Sequence, residues 1–269
     1  MKKTMVFAAV LVAMVATAFV GCKKDAGVDK SLADLQKRGE FVLGLDDSFP
    51  PMGFRDENNE IVGFDIDLAK EVASRLGVKF RAQPINWDAK EQELSTGNID
   101  CIWNGLTITE ERLSMLSFTR PYLANEQVVV VRKDSGISTL ADMAKKSVGL
   151  QAGSSAADAL DAAADFKKTL KSVVEFKENI TALNDLEIGG VDGVIMDSIV
   201  ANYSIATTKK PFAVLEEGLA PESYGVAFRK NDIALTNAVQ QKLEEMKADG
   251  TVEKISTKWF GSDITVIGK

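Results

Sequence analysis

The sequence contains no histidine at all. That removes the side chain most often used as a general base near neutral pH, and the commonest metal ligand with it. Hydrolase triads built on an imidazole are excluded outright. Cysteine is almost as scarce, present only at positions 22 and 101. If Cys22 is consumed by other chemistry, Cys101 has no partner, so neither a disulfide framework nor a transition-metal site is expected. No cofactor is expected either. Excess positive charge is also missing: 32 Lys and Arg stand against 39 Asp and Glu. An acidic surface argues against nucleic acid and anionic membranes as partners.

Long apolar runs are absent with one exception, Met5 to Val20. A helix needs roughly 20 apolar residues to span a bilayer, so this run is short. It follows the basic start Met1-Lys2-Lys3 and ends in the small residue Gly21. A basic start, a short apolar core and a small-residue exit describe a secretory signal, residues 1–21. Its removal takes Lys2 and Lys3 away, leaving 30 basic residues against 39 acidic ones and a net charge of −9. Phe19-Val20-Gly21-Cys22 resembles a bacterial lipobox, although Leu is usual where this chain has Phe19. The resemblance implies a lipid on Cys22 and attachment to a membrane through it. An ordinary cleavage site before Cys22, or an uncleaved anchor, are the other readings. All three place the protein outside the cytoplasm, with residues 22–37 as a tether.

Beyond the tether, strands and helices alternate. Ser31 to Arg38 reads as a short helix and Phe41 to Leu45 as a strand. A turn-rich stretch follows from Asp46 to Asn59. In Asp65 to Leu76, Leu68, Val72 and Leu76 recur every four residues, which makes an amphipathic helix that Gly77 ends. The alternation continues through strands at Val78–Arg81, Ile99–Trp103, Gln127–Val131, Ser147–Leu150, Val173–Phe176, Gly193–Met196 and Ser223–Phe228. Helices are expected between them, one of them at Leu140–Lys145, and two more close the chain. Such alternation implies parallel sheets with helices on both faces. Two α/β lobes suit it better than one sheet, the chain crossing between them near Glu126–Arg132 and Glu222–Phe228. The expected division is 38–123 for the first lobe, 124–221 for the second and 222–269 for a return to the first. In such folds ligands sit at the carboxyl ends of the strands.

Gly63-Phe64-Asp65-Ile66-Asp67-Leu68-Ala69-Lys70-Glu71-Val72-Ala73 resembles the signature of the solute-binding proteins for polar amino acids, family 3 of the bacterial extracellular solute-binding proteins. The likeness continues through Asp100–Arg112, Val148–Ser155, Gly190–Asp197 and Lys258-Trp259-Phe260-Gly261. It implies a periplasmic binding protein-like fold, two α/β lobes joined by two hinge strands. It also implies a monomer that takes glutamine, a basic amino acid or cystine in the cleft and delivers it to an ABC transporter permease. Asp65 and Asp67 open a helix, where the dipole favours acids, and read as structural.

An amino acid presents a carboxylate and an ammonium, and both need partners in a cleft of low dielectric. A guanidinium meets a carboxylate with two parallel hydrogen bonds, which makes Arg112 the candidate for that end. Thr107 and Glu110 have capping-box spacing, suggesting a helix start there. From spacing alone, Arg112 could equally be a surface residue paired with Glu110 or Glu111. The resemblance implies the clamp, with Gly105 and Thr107 on the ligand's backbone atoms. Gln151-Ala152-Gly153-Ser154-Ser155 lies between a strand and a helix, an anion site or merely a cap; the resemblance puts Ser155 on the carboxylate. Asp197 ends a strand and either caps the next helix or faces the crevice, where the resemblance assigns it the ammonium. By the same resemblance Phe49 and Trp87 flank the ligand side chain, Asp46 meets its amide or cation, and Asn104 and Gln151 add polar contacts. Glu91 falls one turn after Trp87, either toward the pocket or on a solvated face.

Two other classes stay open on sequence grounds. Exported dehydratases acting on cyclic precursors of aromatic amino acids resemble the same family, and would need a carboxylic acid such as Asp46 or Glu91 near a leaving hydroxyl. A surface adhesin could also reuse the fold.

Overall fold

The computed structural model describes residues 28–268, so the apolar leader and Cys22 lie outside the described residues. Folded structure begins within the stretch expected to be tether. Helix α1 (Ser31–Arg38) buries Leu35 and packs against the helix at Ile233–Ala248. Its first residue also accepts a hydrogen bond there, Leu235 N to Ser31 Oγ at 3.1 Å.

The first lobe is built on β1 (Glu40–Leu45). The turn-rich stretch after it folds into three short antiparallel strands, β2 (Ser48–Phe49), β3 (Gly53–Arg55) and β4 (Ile61–Val62). Asp56 closes their turn by accepting from the amides of Asn58 and Glu60, which is why a run rich in Asp and Asn still makes a hairpin. Helix α2 (Phe64–Arg75) follows, and Phe64, Ile66, Leu68, Ala69, Val72 and Ala73 on it are buried. Burial of each large side chain contributes roughly 1.5–3 kcal/mol. Next come β5 (Lys79–Pro84), α3 (Lys90–Ser95), β6 (Cys101–Ile102), α4 (Glu110–Met115) and β7 (Leu116–Phe118). Cys101 is buried, with no disulfide partner among the described residues.

The chain then leaves along β8 (Leu123–Arg132) and forms β9 (Ser147–Gln151), α5 (Ser155–Ala162), α6 (Ala164–Thr169), β10 (Ser172–Phe176), α7 (Asn179–Ile188), β11 (Gly193–Asp197), α8 (Ser198–Thr208) and β12 (Phe212–Val214). The helix expected at Leu140–Lys145 is a single tight turn, Ala141–Met143. Asp142 holds its start by accepting from the amides of Ser138 and Thr139, and the chain leaves helical geometry at Ala144 and Lys145, the latter at φ +60°. The chain returns along β13 (Ala220–Tyr224) to β14 (Ala227–Arg229), and ends in α9 (Ile233–Ala248) and α10 (Thr251–Phe260).

Two mixed sheets result. The first runs β5-β1-β6-β14-β7 and the second β10-β9-β11-β8-β12, with β13 paired to β8 off that path. The parallel pairing expected from the alternation holds for β1 with β5 and β6, and for β9 with β10 and β11. The crossing strands break it: β8 runs antiparallel to β11, and β14 to β6. A strand arriving from the other lobe enters its new sheet from the opposite end, so its direction is reversed. The ribbon of β8 and β13, in register from Leu123↔Tyr224 to Gln127↔Ala220, joins the lobes beneath the cleft.

Candidate ligand-binding cleft

The lobes close over a small, narrow cavity between them. Phe49, Trp87, Gly105, Thr107 and Arg112 line it from the first lobe; Gln151, Ser154, Ser155 and Asp197 line it from the second. Eight of the ten residues expected from sequence converge there. Asp46 and Asn104 stand just behind: Asn104 Oδ1 accepts from Asp46 N at 3.0 Å, and Asp46 Oδ2 accepts from Gln151 Nε2 across the cleft at 2.7 Å. Burial pushes the Asp46 carboxyl upward, against the hydrogen bonds from Ser48 and Gln151.

Arg112 sits in the first turn of α4, whose cap is Thr109 rather than Thr107. Thr109 Oγ1 accepts from Arg112 N at 3.2 Å. That two-residue shift frees Thr107 for the cavity wall, where it bridges to Tyr224 on β13. The Arg112 side chain is buried rather than paired with Glu110 or Glu111. Its Nη1 donates to Thr107 O at 2.9 Å and its Nη2 to Gly153 O in the second lobe at 3.3 Å. At the start of α5 the two serines divide the work. Ser154 caps the helix, accepting from Ala156 N, while Ser155 Oγ donates to Thr107 Oγ1 across the cleft at 3.0 Å.

Gly105 occupies the left-handed region at φ +60°, and a Cβ there would come within 3.0 Å of Phe49. Its amide is held by Asp65 Oδ2 at 2.7 Å, and Tyr122 Oη donates to the same oxygen at 2.9 Å. The acid at the start of α2 therefore anchors the site loop as well as facing the helix dipole. Full burial pushes its carboxyl up to about 7.

Asp197 stands at the cap position of α8 but makes no cap bond. Its Oδ1 accepts instead from Asn125 Nδ2 at 2.7 Å and from Tyr224 Oη at 2.5 Å. Burial first, and the nearby Glu222 carboxylate second, push it up to about 7. Sequence reading gave these crossing-strand residues no role. Glu222 Oε2 gathers hydrogen bonds from Thr107 Oγ1, Asn125 Nδ2 and Gln127 Nε2 at 2.9–3.0 Å. The available signal was polar residues on segments read as crossing the cleft. Lys90 was missed too: it is 3% exposed. Glu91 faces away from the cavity. It lines an outer groove and pairs with Lys90 at 3.2 Å.

Two α/β lobes, two crossing strands and a cleft above them define a periplasmic binding protein-like fold. The chain belongs to the bacterial extracellular solute-binding proteins, family 3, whose family model matches residues 41–262. The L-cystine-binding protein TcyJ of Escherichia coli is 30% identical over 94% of each chain. ABC transporter arginine-binding protein 1 of the same species is 33% identical over 81% of this chain and 89% of its own. An ABC uptake transporter substrate-binding protein from Streptococcus pneumoniae, solved with bound histidine, superposes with a TM-score of 0.86 at 37% identity, covering 88% of this chain and 98% of that one. Among the described residues no helix is long and apolar enough to cross a membrane.

Proposed function

We propose that this chain is the substrate-binding component of an amino acid ABC importer, capturing one polar L-amino acid between its lobes. The observation that carries the reading is a buried cation and a buried carboxylate, Arg112 and Asp197, lining one cavity from opposite lobes. A zwitterion answers both: the guanidinium and Ser155 take its carboxylate, Asp197 its ammonium. Gly105 and Thr107 meet its backbone atoms, Phe49, Trp87 and Gln151 surround its side chain, and Asp46 and Asn104 back that wall. Each lobe supplies one charge, so only a closed cleft satisfies the whole ligand. The ligand class, glutamine, a basic amino acid or cystine, is supported by relatives named for cystine, arginine and histidine.

The same reading divides the chain at 38–123, 124–221 and 222–269, with α1 packed onto the first lobe ahead of these and β8 and β13 as hinge strands. It makes 1–21 a signal peptide and Cys22 a lipid anchor holding the protein at the outer face of a membrane. A permease in that membrane is the partner that receives the amino acid. Two placements disfavour the dehydratase alternative: Glu91 points out of the cavity, and Asp46 is engaged by Ser48 and Gln151. The test is a thermal-shift screen of the common L-amino acids on protein freed of co-purified ligand. One or a few should stabilise it, by about 2.7 kcal/mol at 100 times the dissociation constant. Arg112→Ala should abolish that shift. No response to any of them would end the importer reading.

A further inference from the structure

Lys90 is a buried lysine at the junction of the lobes that the binding scheme above leaves unused. Its ammonium donates to Gly153 O in the second lobe at 2.8 Å and to Trp87 O at 3.3 Å, and lies 5.2 Å from the centre of the Trp87 ring. Gly153 O is also the acceptor for Arg112 Nη2. Two cations from the first lobe thus converge on one carbonyl oxygen of the second. The carboxylate paired with Lys90 is that of Glu91, which is 36% exposed, while Arg112 pairs with no carboxylate among the described residues. Carbonyl dipoles are weak compensation for two neighbouring buried charges.

We propose that Lys90 makes closure conditional on a carboxylate: bringing the lobes together buries it beside Arg112, and an anion held by Arg112 supplies the missing counter-charge. Lys90 is a positioning residue, acting through Arg112 and Gly153 from the layer behind the cavity wall. The balance of its two opposing effects follows from its environment. The bond to Gly153 favours the closed state, but burial first and Arg112 second push the Lys90 ammonium below its usual range, outweighing Glu91 and Asp88. An ammonium with a lowered pKa is, on balance, disfavoured where it stands. Closure without an anion is therefore penalised, and closure around a carboxylate is not.

The inference rests on the importer reading for its ligand, and the experiment separates the two. Wild type, Lys90→Met and Lys90→Arg are compared by small-angle scattering without ligand. Each is also titrated with L-arginine against L-argininamide and with L-histidine against L-histidinamide, which differ in the carboxylate. Affinity alone is a poor readout, because losing the closure penalty and losing the attraction to the carboxylate oppose each other. Lys90→Met should be more compact than wild type without ligand. Its preference for acid over amide should fall about tenfold, the size of a unit-charge interaction across several Å of part-buried protein. Lys90→Arg should keep both wild-type properties. A purely structural lysine would lower the melting temperature and move neither. Unchanged ligand-free scattering in Lys90→Met, or an unchanged acid-to-amide ratio, overturns the proposal. Lys90→Gln takes its place should the Met variant fail to fold. If wild type binds neither arginine nor histidine, the acid-to-amide comparison is made with the amino acid that the thermal-shift screen identifies, and the scattering comparison still decides the role of Lys90.

Discussion

The residues around the cavity trade stability for function most visibly at Asp197. Its folded-state carboxyl is pushed to about 7 against 3.8 in the unfolded chain. Between those values the folded state holds a proton that the unfolded state has lost, so stability falls as pH rises through that window and is lowest above 7. The full penalty is on the order of 4 kcal/mol, less whatever opening of the lobes relieves. Asp197→Asn removes the charge and retains an oxygen to accept from Asn125 and Tyr224. Melting curves of the ligand-free proteins should coincide near pH 4 and diverge toward pH 8, with the Asn variant the more stable. The amino acid that stabilises wild type should no longer shift it. A variant uniformly less stable at every pH would mean that Asp197 is held by its hydrogen bonds and not penalised for its charge.

Secondary elements carry the site by indirect ties, and α2 has two. Asp65 fixes Gly105, while Asp67, two residues on and on the opposite side of the helix, holds the terminal helix: its Oδ2 accepts from Trp259 Nε1 at 2.8 Å and Lys258 Nζ at 2.6 Å. Asp67→Ala should cost about 1.5–3 kcal/mol, the range for a hydrogen bond to a charged group, lowering the melting temperature by several degrees. The ligand-induced shift should survive intact. A loss of affinity instead would show that α10 positions the cleft rather than merely covering the lobe. This level also shows what the sequence could reveal. The period of Leu68, Val72 and Leu76 exposed α2 because one helix face suffices to display it. The strand-to-helix turns at Gln151–Ser155 and Asp197 were legible because cap residues and strand ends are local. Lys90 was not, since its acceptor lies 63 residues away in the other lobe; without that carbonyl, a lysine in a polar run reads as solvated. The β2–β4 sheet escaped for the opposite reason: strands of two or three residues are too short to show a period.

At the scale of the whole molecule, the cleft is a set of bonds that exist only while the lobes are together. Ser155 reaches Thr107, Gln151 reaches Asp46, and Lys90 and Arg112 reach Gly153. Phe54 of the first lobe also meets Tyr203 of the second, ring centres 6.2 Å apart. The crossing ribbon of β8 and β13 ties this closure to the charge sites, because Asn125 and Glu222 on it contact Asp197 and Thr107. Capture and closure are then separable steps: the first lobe, with Arg112, can meet a carboxylate before the second arrives. A second-lobe residue that latches without holding either ligand charge should therefore govern escape rather than capture. Gln151 is that residue, its Nε2 shared between Asp46 Oδ2 and Lys177 O, and its Oε1 accepting from Asn179. Gln151→Ala should raise the dissociation rate about tenfold, or about 1.4 kcal/mol, while the association rate changes less than twofold. Stopped-flow mixing that follows tryptophan fluorescence, in a background with Trp259 replaced by Phe so that Trp87 at the cavity wall dominates the change, would measure both. A slowed association with unchanged dissociation would reverse the order, placing the second lobe's contacts in the capture step.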